Sequence, residues 1–198
     1  MTTTEPPLTP AARRILDAAT ELFYGRGINS VGVELVAERA GTTKKTIYDR
    51  FGSKEGLVVA YLEARARRWQ AHVAEHVARA DGGVADRAVA VIDALESWLE
   101  MADRGCGFVA AYAELSTSSE RVTAVVRAEK EWMRALFRRL LADEAVEDDG
   151  SLARQLALVQ EGAVVESTAG GSAYALEDAR RAMRSLVAGC GAGSEATA

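Results

Sequence analysis

Apolar residues recur every three or four positions along most of this chain, and no convincing alternating apolar–polar run marks a strand. That period predicts a succession of amphipathic helices. The first starts at about Thr9-Pro10, where Thr can cap it and Pro suits its first turn. Its stripe is Ile15, Leu16, Ala19, Leu22 and Phe23, and Gly25-Arg26-Gly27 ends it. A short second helix is expected over about Val33 to Ala40, with Val33, Val36, Ala37 and Ala40 inward, stopping at Gly41. A third is expected from about Thr43 to Phe51, with Ile47 and Phe51 one turn apart on its inner side. Gly52-Ser53 breaks the chain, and Ser53 can cap a long fourth helix from about Lys54 to Ala80.

The pattern continues behind the turn Asp81-Gly82-Gly83. A fifth helix is expected over about Val84 to Arg104, with Ala88, Val91, Ile92, Leu95, Trp98 and Leu99 inward, broken by Gly105-Cys106-Gly107. A sixth covers about Phe108 to Leu115. A seventh, about Glu120 to Ala142, carries the stripe Val122, Val125, Val126, Trp132, Met133, Leu136, Phe137 and Leu140. Asp143 to Gly150 reads as an acidic loop. An eighth helix covers about Ser151 to Thr168 and a ninth about Glu177 to Ala188, with a loop at Ala169-Gly170-Gly171-Ser172 between them. The end of the chain is small and polar and is expected to be a disordered tail. The fold class is therefore all-α with about nine helices, and helices one to three have the layout of a helix-turn-helix domain.

Composition narrows this reading. With 198 residues the chain suits one or two small domains, and 48% apolar against 27% charged residues is ordinary for a globular protein. Only 3 prolines occur, which favours helix throughout. No apolar run approaches the roughly 20 residues of a membrane span. The opening Met1 to Pro7 has neither a basic start nor an apolar stretch, so no signal peptide and a cytoplasmic location are expected. The two cysteines, Cys106 and Cys190, are expected as free thiols, and their spacing fits no zinc motif.

Charge changes the picture most. The chain carries a net charge of −5, yet three of its four lysines, Lys44, Lys45 and Lys54, fall in the stretch Gly41 to Lys54, G-T-T-K-K-T-I-Y-D-R-F-G-S-K. Residues 1–69 hold 11 Lys and Arg against 8 Asp and Glu, and residues 70–198 hold 13 against 21. A basic front and an acidic rear suggest that only the front meets a polyanion. A short helix bearing Lys, Thr, Tyr and Arg behind a Gly turn is what a DNA-reading helix needs. Its donors must reach base edges, and its cations must meet phosphate.

At these residues the sequence resembles the tetracycline-repressor-like (TetR) family of bacterial transcriptional regulators. The match is carried by Ala12 to Leu57. Its strongest part begins at Ala37, with Ala40-Gly41, Thr46, Tyr48, Phe51 and Ser53-Lys54 at the family's spacings. The resemblance implies a helix-turn-helix DNA-binding domain over residues 9–53, joined through the long helix four to a ligand-binding and dimerisation domain over 54–189, with a flexible tail over 190–198. It implies that Lys44, Lys45, Thr46 and Asp49 face the major groove, that Tyr48 and Lys54 hold phosphate, and that Arg50 adds a base or phosphate contact. Two departures stand out. Gly56 occupies a position where many members carry a longer polar residue, and Gly32 softens the start of helix two.

The resemblance also implies partners: a palindromic double-stranded DNA operator, a second copy of the chain, and a small, mostly apolar effector that releases a repressor from its operator. Trp69, Trp98, Met101, Phe108, Tyr112, Trp132, Met133 and Phe137 are the bulky groups available to line an effector pocket. Leu152, Leu156, Val159, Gly162, Ala163, Met183, Leu186 and Val187 are available for a four-helix dimer interface. No cofactor, metal or catalytic residue is expected. His72-Val-Ala-Glu75-His76 matches a metalloprotease string, but nothing in the sequence picks out a third ligand. Cys106 lies between two glycines with no histidine nearby in sequence to act as its base. The chain is expected not to be an enzyme.

Overall fold

A computed structural model of the chain describes residues 9–101, 104–144 and 150–191. Among the described residues every regular element is a helix: α1 (Pro10–Arg26), α2 (Val33–Arg39), α3 (Lys44–Phe51), α4 (Lys54–Arg79), α5 (Val84–Glu100), α6 (Gly107–Leu115), α7 (Glu120–Ala142), α8 (Ser151–Thr168) and α9 (Ala175–Gly191). The expected all-α order is observed. Much of the expected acidic loop and most of the expected tail lie outside the described residues.

Local chemistry sets the front boundaries. Thr9 Oγ1 accepts the Ala12 N–H at 3.4 Å, with Pro10 opening the helix. Gly27, at φ 87°, closes α1 in a region that costs other residues strain. Thr43 stands just outside α3 and its hydroxyl accepts the Thr46 N–H at 3.2 Å. It therefore caps the helix that it was expected to begin. Ser53 Oγ takes the Gly56 N–H at 3.0 Å and caps α4.

The two glycine departures have different explanations. Gly32 is the extended N-cap residue of α2, outside the helix proper, so it imposes no helix-interior penalty. Gly56 lies within α4, and a Cβ there would stand 2.0 Å from the Phe51 carbonyl oxygen. Any side chain at this position would collide with backbone.

Packing divides the chain into two compact units, one of residues 1–66 and 107–126 and one of residues 67–106 and 127–198. This division does not follow the sequence-based boundary at 53/54. The first part of α4, all of α6 and the start of α7 pack with the helix-turn-helix segment.

In the first unit α1, α2 and α3 pack on one another, and Ile15, Ala19, Val31, Val36, Ile47, Leu57 and Leu62 are fully buried. Tyr61 meets Phe23 edge-on, with ring centroids 5.8 Å apart. The Arg65 guanidinium lies 4.4 Å over the Tyr24 ring. Long-range polar contacts hold the turn after α1. Glu114, at the end of α6, accepts the backbone N–H groups of Ile28 at 3.0 Å and Asn29 at 2.6 Å. Glu55 of α4 accepts the hydroxyl of Ser119, which in turn caps α7 by accepting the Val122 N–H at 3.1 Å.

In the second unit α5, α8 and α9 pack together, with the rear of α4 and most of α7 contributing to one core. Gly83 offers α5 no side-chain cap. Glu144, sixty residues on, takes the Val84 N–H at 2.8 Å instead.

A prediction follows from the glycines. Gly56→Ala should destabilise the protein by about 1–3 kcal/mol, the usual cost of forcing extra volume into a filled space. Gly25→Ala, in α1 with open space around its Cβ position, should stabilise it by about 0.5 kcal/mol. Urea unfolding midpoints of the two variants should move in opposite directions.

Candidate nucleic-acid interface

Helix α3 has eight residues and fully buries one of them, Ile47. At about 100° per residue, Lys45 and Asp49 stand opposite Ile47, Lys44 and Tyr48 on one flank, and Thr46 and Arg50 on the other. Lys44, Lys45, Asp49 and Arg50 are exposed, and Tyr48 is 47% exposed. Thr46 is half-buried, its hydroxyl 3.0 Å from that of Thr43. Lys54 is half-buried at the start of α4. All seven residues expected from the sequence are thus on or beside one short, capped, outward-facing helix.

Two of the cations are already paired. Lys44 Nζ lies 2.5 Å from Glu34 Oε1, and Lys45 Nζ lies 2.8 Å from Asp49 Oδ2. The hydrogen bond to Glu34 holds the Lys44 pKa above its ordinary value, and Lys44 holds the Glu34 carboxyl below its own. Asp49 raises Lys45 in the same way. Arg50 and Lys54 have no ion pair among the described residues. Glu34 escapes a reading of the sequence because it lies ten residues before Lys44, across a turn over which no periodicity carries.

Known proteins bear on this geometry. The profile of the family described as "Bacterial regulatory proteins, tetR family" matches residues 15–61. An uncharacterized HTH-type transcriptional regulator of Mycobacterium tuberculosis is 45% identical over 58 residues, 29% of this chain and 29% of that protein. The HTH-type transcriptional activator FasR of Mycolicibacterium smegmatis is 40% identical over 50 residues, 25% of this chain and 23% of its own. The chain therefore matches less than a third of the length of these curated relatives. A TetR-family transcriptional regulator of Streptomyces coelicolor has a crystal structure that superposes with a TM-score of 0.75 at 27% identity, over 91% of this chain and 93% of that one.

Residues 15–61 match the TetR-family model, and the chain shares the fold of TetR-family regulators.

Members of this family are transcriptional regulators, not enzymes. The residues expected to line a pocket fall in different places. Of the eight residues expected to line a pocket, Trp69, Met133 and Phe137 are buried in the core of the second unit, and Trp98 and Trp132 pack against it. Trp69 and Trp98 meet edge-on, with centroids 5.3 Å apart. Met101 is 66% exposed and belongs to no such cluster. Phe108 and Tyr112 belong to the first unit, the former buried and the latter exposed.

The expected dimer residues differ in their exposure. Leu152, Leu156, Ala163 and Met183 are buried in the chain's own core, and Val159, Leu186 and Val187 pack against it. The buried four join α8 to α9 within the chain, and Val159, Leu186 and Val187 remain partly exposed beside them. Among the eight, Gly162 is exposed, with open space at its Cβ position. The outward stripe of α8 is instead Leu158, Gly162 and Val165, with Leu158 71% and Val165 49% exposed.

The histidine string is occupied by ordinary hydrogen bonds. His72 Nε2 lies 3.1 Å from the Ala94 carbonyl, which can only accept, and 2.9 Å from Ser97 Oγ. His76 Nδ1 donates to the His72 carbonyl at 2.9 Å. Among the described residues no helix is long and apolar enough to cross a membrane.

The second unit also holds a polar cluster outside the sequence-based expectations. Lys130 Nζ lies 2.7 Å from Glu161, 3.1 Å from Glu129 and 3.7 Å from the Cys106 sulfur. Burial works against the Lys130 charge, yet Cys106, Glu129 and Glu161 together hold its pKa above the usual lysine range. Burial pushes the Glu129 carboxyl up; Lys130 opposes the rise and Glu161 adds to it. Glu129 Oε2 is buried with its ion pair to Lys130, and Gln160 Oε1 is buried without a hydrogen-bond partner. The sequence does carry one signal of this cluster: Glu129 falls on the stripe of Val122, Val126 and Met133, where an acid is out of place.

A raised carboxyl pKa means that the folded state disfavours the charged form. The resulting cost is absent below the ordinary carboxylate pKa and grows as pH rises through the folded value. Glu129→Gln should therefore raise the urea midpoint at pH 8, and the gain should shrink as pH falls to 5.

Proposed function

We propose that this chain is a DNA-binding transcriptional repressor that holds a palindromic operator as a homodimer and is released by a small, mostly apolar effector. The observation that carries the DNA-binding reading is α3 itself. An acidic chain presents Lys44, Lys45, Tyr48 and Arg50 on one exposed, capped helix and buries only its opposite edge. Lys44, Lys45, Thr46 and Asp49 read bases in the major groove. Tyr48, through its hydroxyl, and Lys54, beside the start of α4, hold phosphate.

A single eight-residue helix reads few base pairs, which favours two copies on a two-fold site with recognition helices about 34–36 Å apart, or a multiple. The Leu158, Gly162 and Val165 stripe supports α8 as part of the shared surface. The effector reading is supported by the Trp69–Trp98 ring pair and by the buried Gln160 Oε1, which a ligand's N–H or O–H donor would satisfy.

DNA fragments selected by the purified protein and sequenced test this function. A palindrome upstream of a transcript that rises when the protein is deleted supports a repressor; a transcript that falls shows an activator. Lys54→Ala should weaken binding to all sequences and flatten the log–log salt dependence by about 0.9 for each phosphate that the variant no longer neutralises. A Lys44→Ala, Lys45→Ala, Tyr48→Phe triple variant should lose the selected site, measured by fluorescence anisotropy; unchanged affinity would remove DNA binding from α3.

Assembly has its own check. Leu158→Asp with Val165→Asp should yield monomers in sedimentation velocity at micromolar concentration and should abolish binding to the full palindrome. Retained dimers would place the interface elsewhere.

A further inference from the structure

The two lysines at the front of α3 are paired in a way that helix stability does not explain. Lys45 stands in the first turn of α3, where the helix dipole disfavours a cation, and Asp49 stands in its second half, where it disfavours an anion. Lys before Asp is also the weaker order for an i,i+4 pair. Lys44 suffers the same dipole penalty, and its partner Glu34 reaches it from the first turn of α2. Both pairs are exposed, where such contacts add little to stability. Their location is what they share: Lys45 and Asp49 form the centre of the outward face of α3, and Lys44 its flank.

This placement alters how the face meets DNA. Without the acids, α3 would offer Lys44, Lys45 and Arg50 as three open cations, enough for strong attachment to any phosphate backbone. With them, Arg50 is the residue of α3 whose charge is left unpaired among the described residues. Phosphate cannot take a lysine from its carboxylate without bringing a second anion against the first. A matching base edge can. Guanine offers O6 and N7 to a lysine, and the amino group of cytosine can donate to the freed Asp49 carboxylate.

Resting on the DNA-binding reading above, we propose that Glu34 and Asp49 are specificity-determining residues. Each holds a base-reading lysine in a neutral pair that only a matching base edge replaces. The acids lower affinity for DNA in general and so widen the gap between operator and other sequence. They act through the lysines and are positioning residues in this sense, with Asp49 also able to touch a base.

The test uses the full-length protein, the operator selected by the wild type, and a random-sequence duplex of equal length, titrated by fluorescence anisotropy between 50 and 200 mM salt. Glu34→Gln and Asp49→Asn should each raise affinity for the random duplex, by about tenfold at the low-salt end. Each should also steepen the log–log salt dependence by about 0.9 for every lysine newly placed on phosphate. The operator-to-random affinity ratio should fall in both. In a Lys45→Gln background, Asp49→Asn should leave the random-duplex curve almost unchanged, because there is no lysine left to free.

Random-duplex binding that is unchanged by Glu34→Gln and Asp49→Asn would overturn the proposal. So would a gain from Asp49→Asn that persists at full size in the Lys45→Gln background, since Asp49 would then act by plain repulsion. Failure of the parent reading looks different: wild-type protein would bind neither duplex. Equal melting temperatures of variants and wild type, by circular dichroism, confirm that a change in binding is not a change in fold.

Discussion

The burial of Ile47 is the contact on which the outward face of this protein depends. An eight-residue helix is far below the length at which a helix persists alone in water. Helix α3 exists because Ile47 is held without exposure against α1 and α2, and because Thr43 satisfies one of its open N–H groups. With so little of the helix buried, almost all of it is free to be polar. The same packing that stabilises α3 also fixes which residues point outward and at what angle. Lys45 and Asp49 stand at the centre of the face because they are diametrically placed from Ile47.

Around that anchor, the first unit is held by contacts that join distant parts of the chain. Glu114 binds the backbone N–H groups of Ile28 and Asn29, and Glu55 binds Ser119. These are charge-assisted hydrogen bonds, stronger than neutral ones. They fasten the turn between α1 and α2, and the start of α4, to segments some 65 to 85 residues away in sequence. The recognition surface therefore rests on more than three short helices. Segments that follow Cys106 are built into the same unit.

Electrostatics in the two units follows opposite logic. On α3, the two lysines are exposed and each is paired with one carboxylate, so each pair is cheap to open when a better partner arrives. In the second unit, Glu129 and Lys130 are largely withdrawn from water, and their protonation is set by burial and by each other. Such a group is costly to leave unmatched. Gln160 Oε1 is buried in that unit without a hydrogen-bond partner. An N–H or O–H donor would satisfy it.

Much of this was readable without coordinates. Helix starts at Thr9, Thr43 and Ser53 and stops at Gly27, Gly41 and Gly52 follow from local backbone and hydroxyl chemistry, which depends on a few neighbouring residues. The polar letters of α3 are legible for the same reason, because its single buried Ile dictates what remains outside. What sequence periodicity cannot tell is what covers an apolar stripe. Leu152, Leu156 and Met183 read equally well as a dimer seam or as a chain's own core, and only the packing of α8 on α9 assigned them to the latter. Gly56 reads in the sequence only as a missing polar side chain, and the reason, a Cβ position against the Phe51 carbonyl, lies in the fold. Glu34 with Lys44, and Glu144 with Val84, meet across turns or across sixty residues, so no local pattern could pair them. Secondary structure and the chemical character of a face come from near neighbours and are written in the sequence; which groups meet, and which apolar surface stays open, depends on distant segments brought together by the fold.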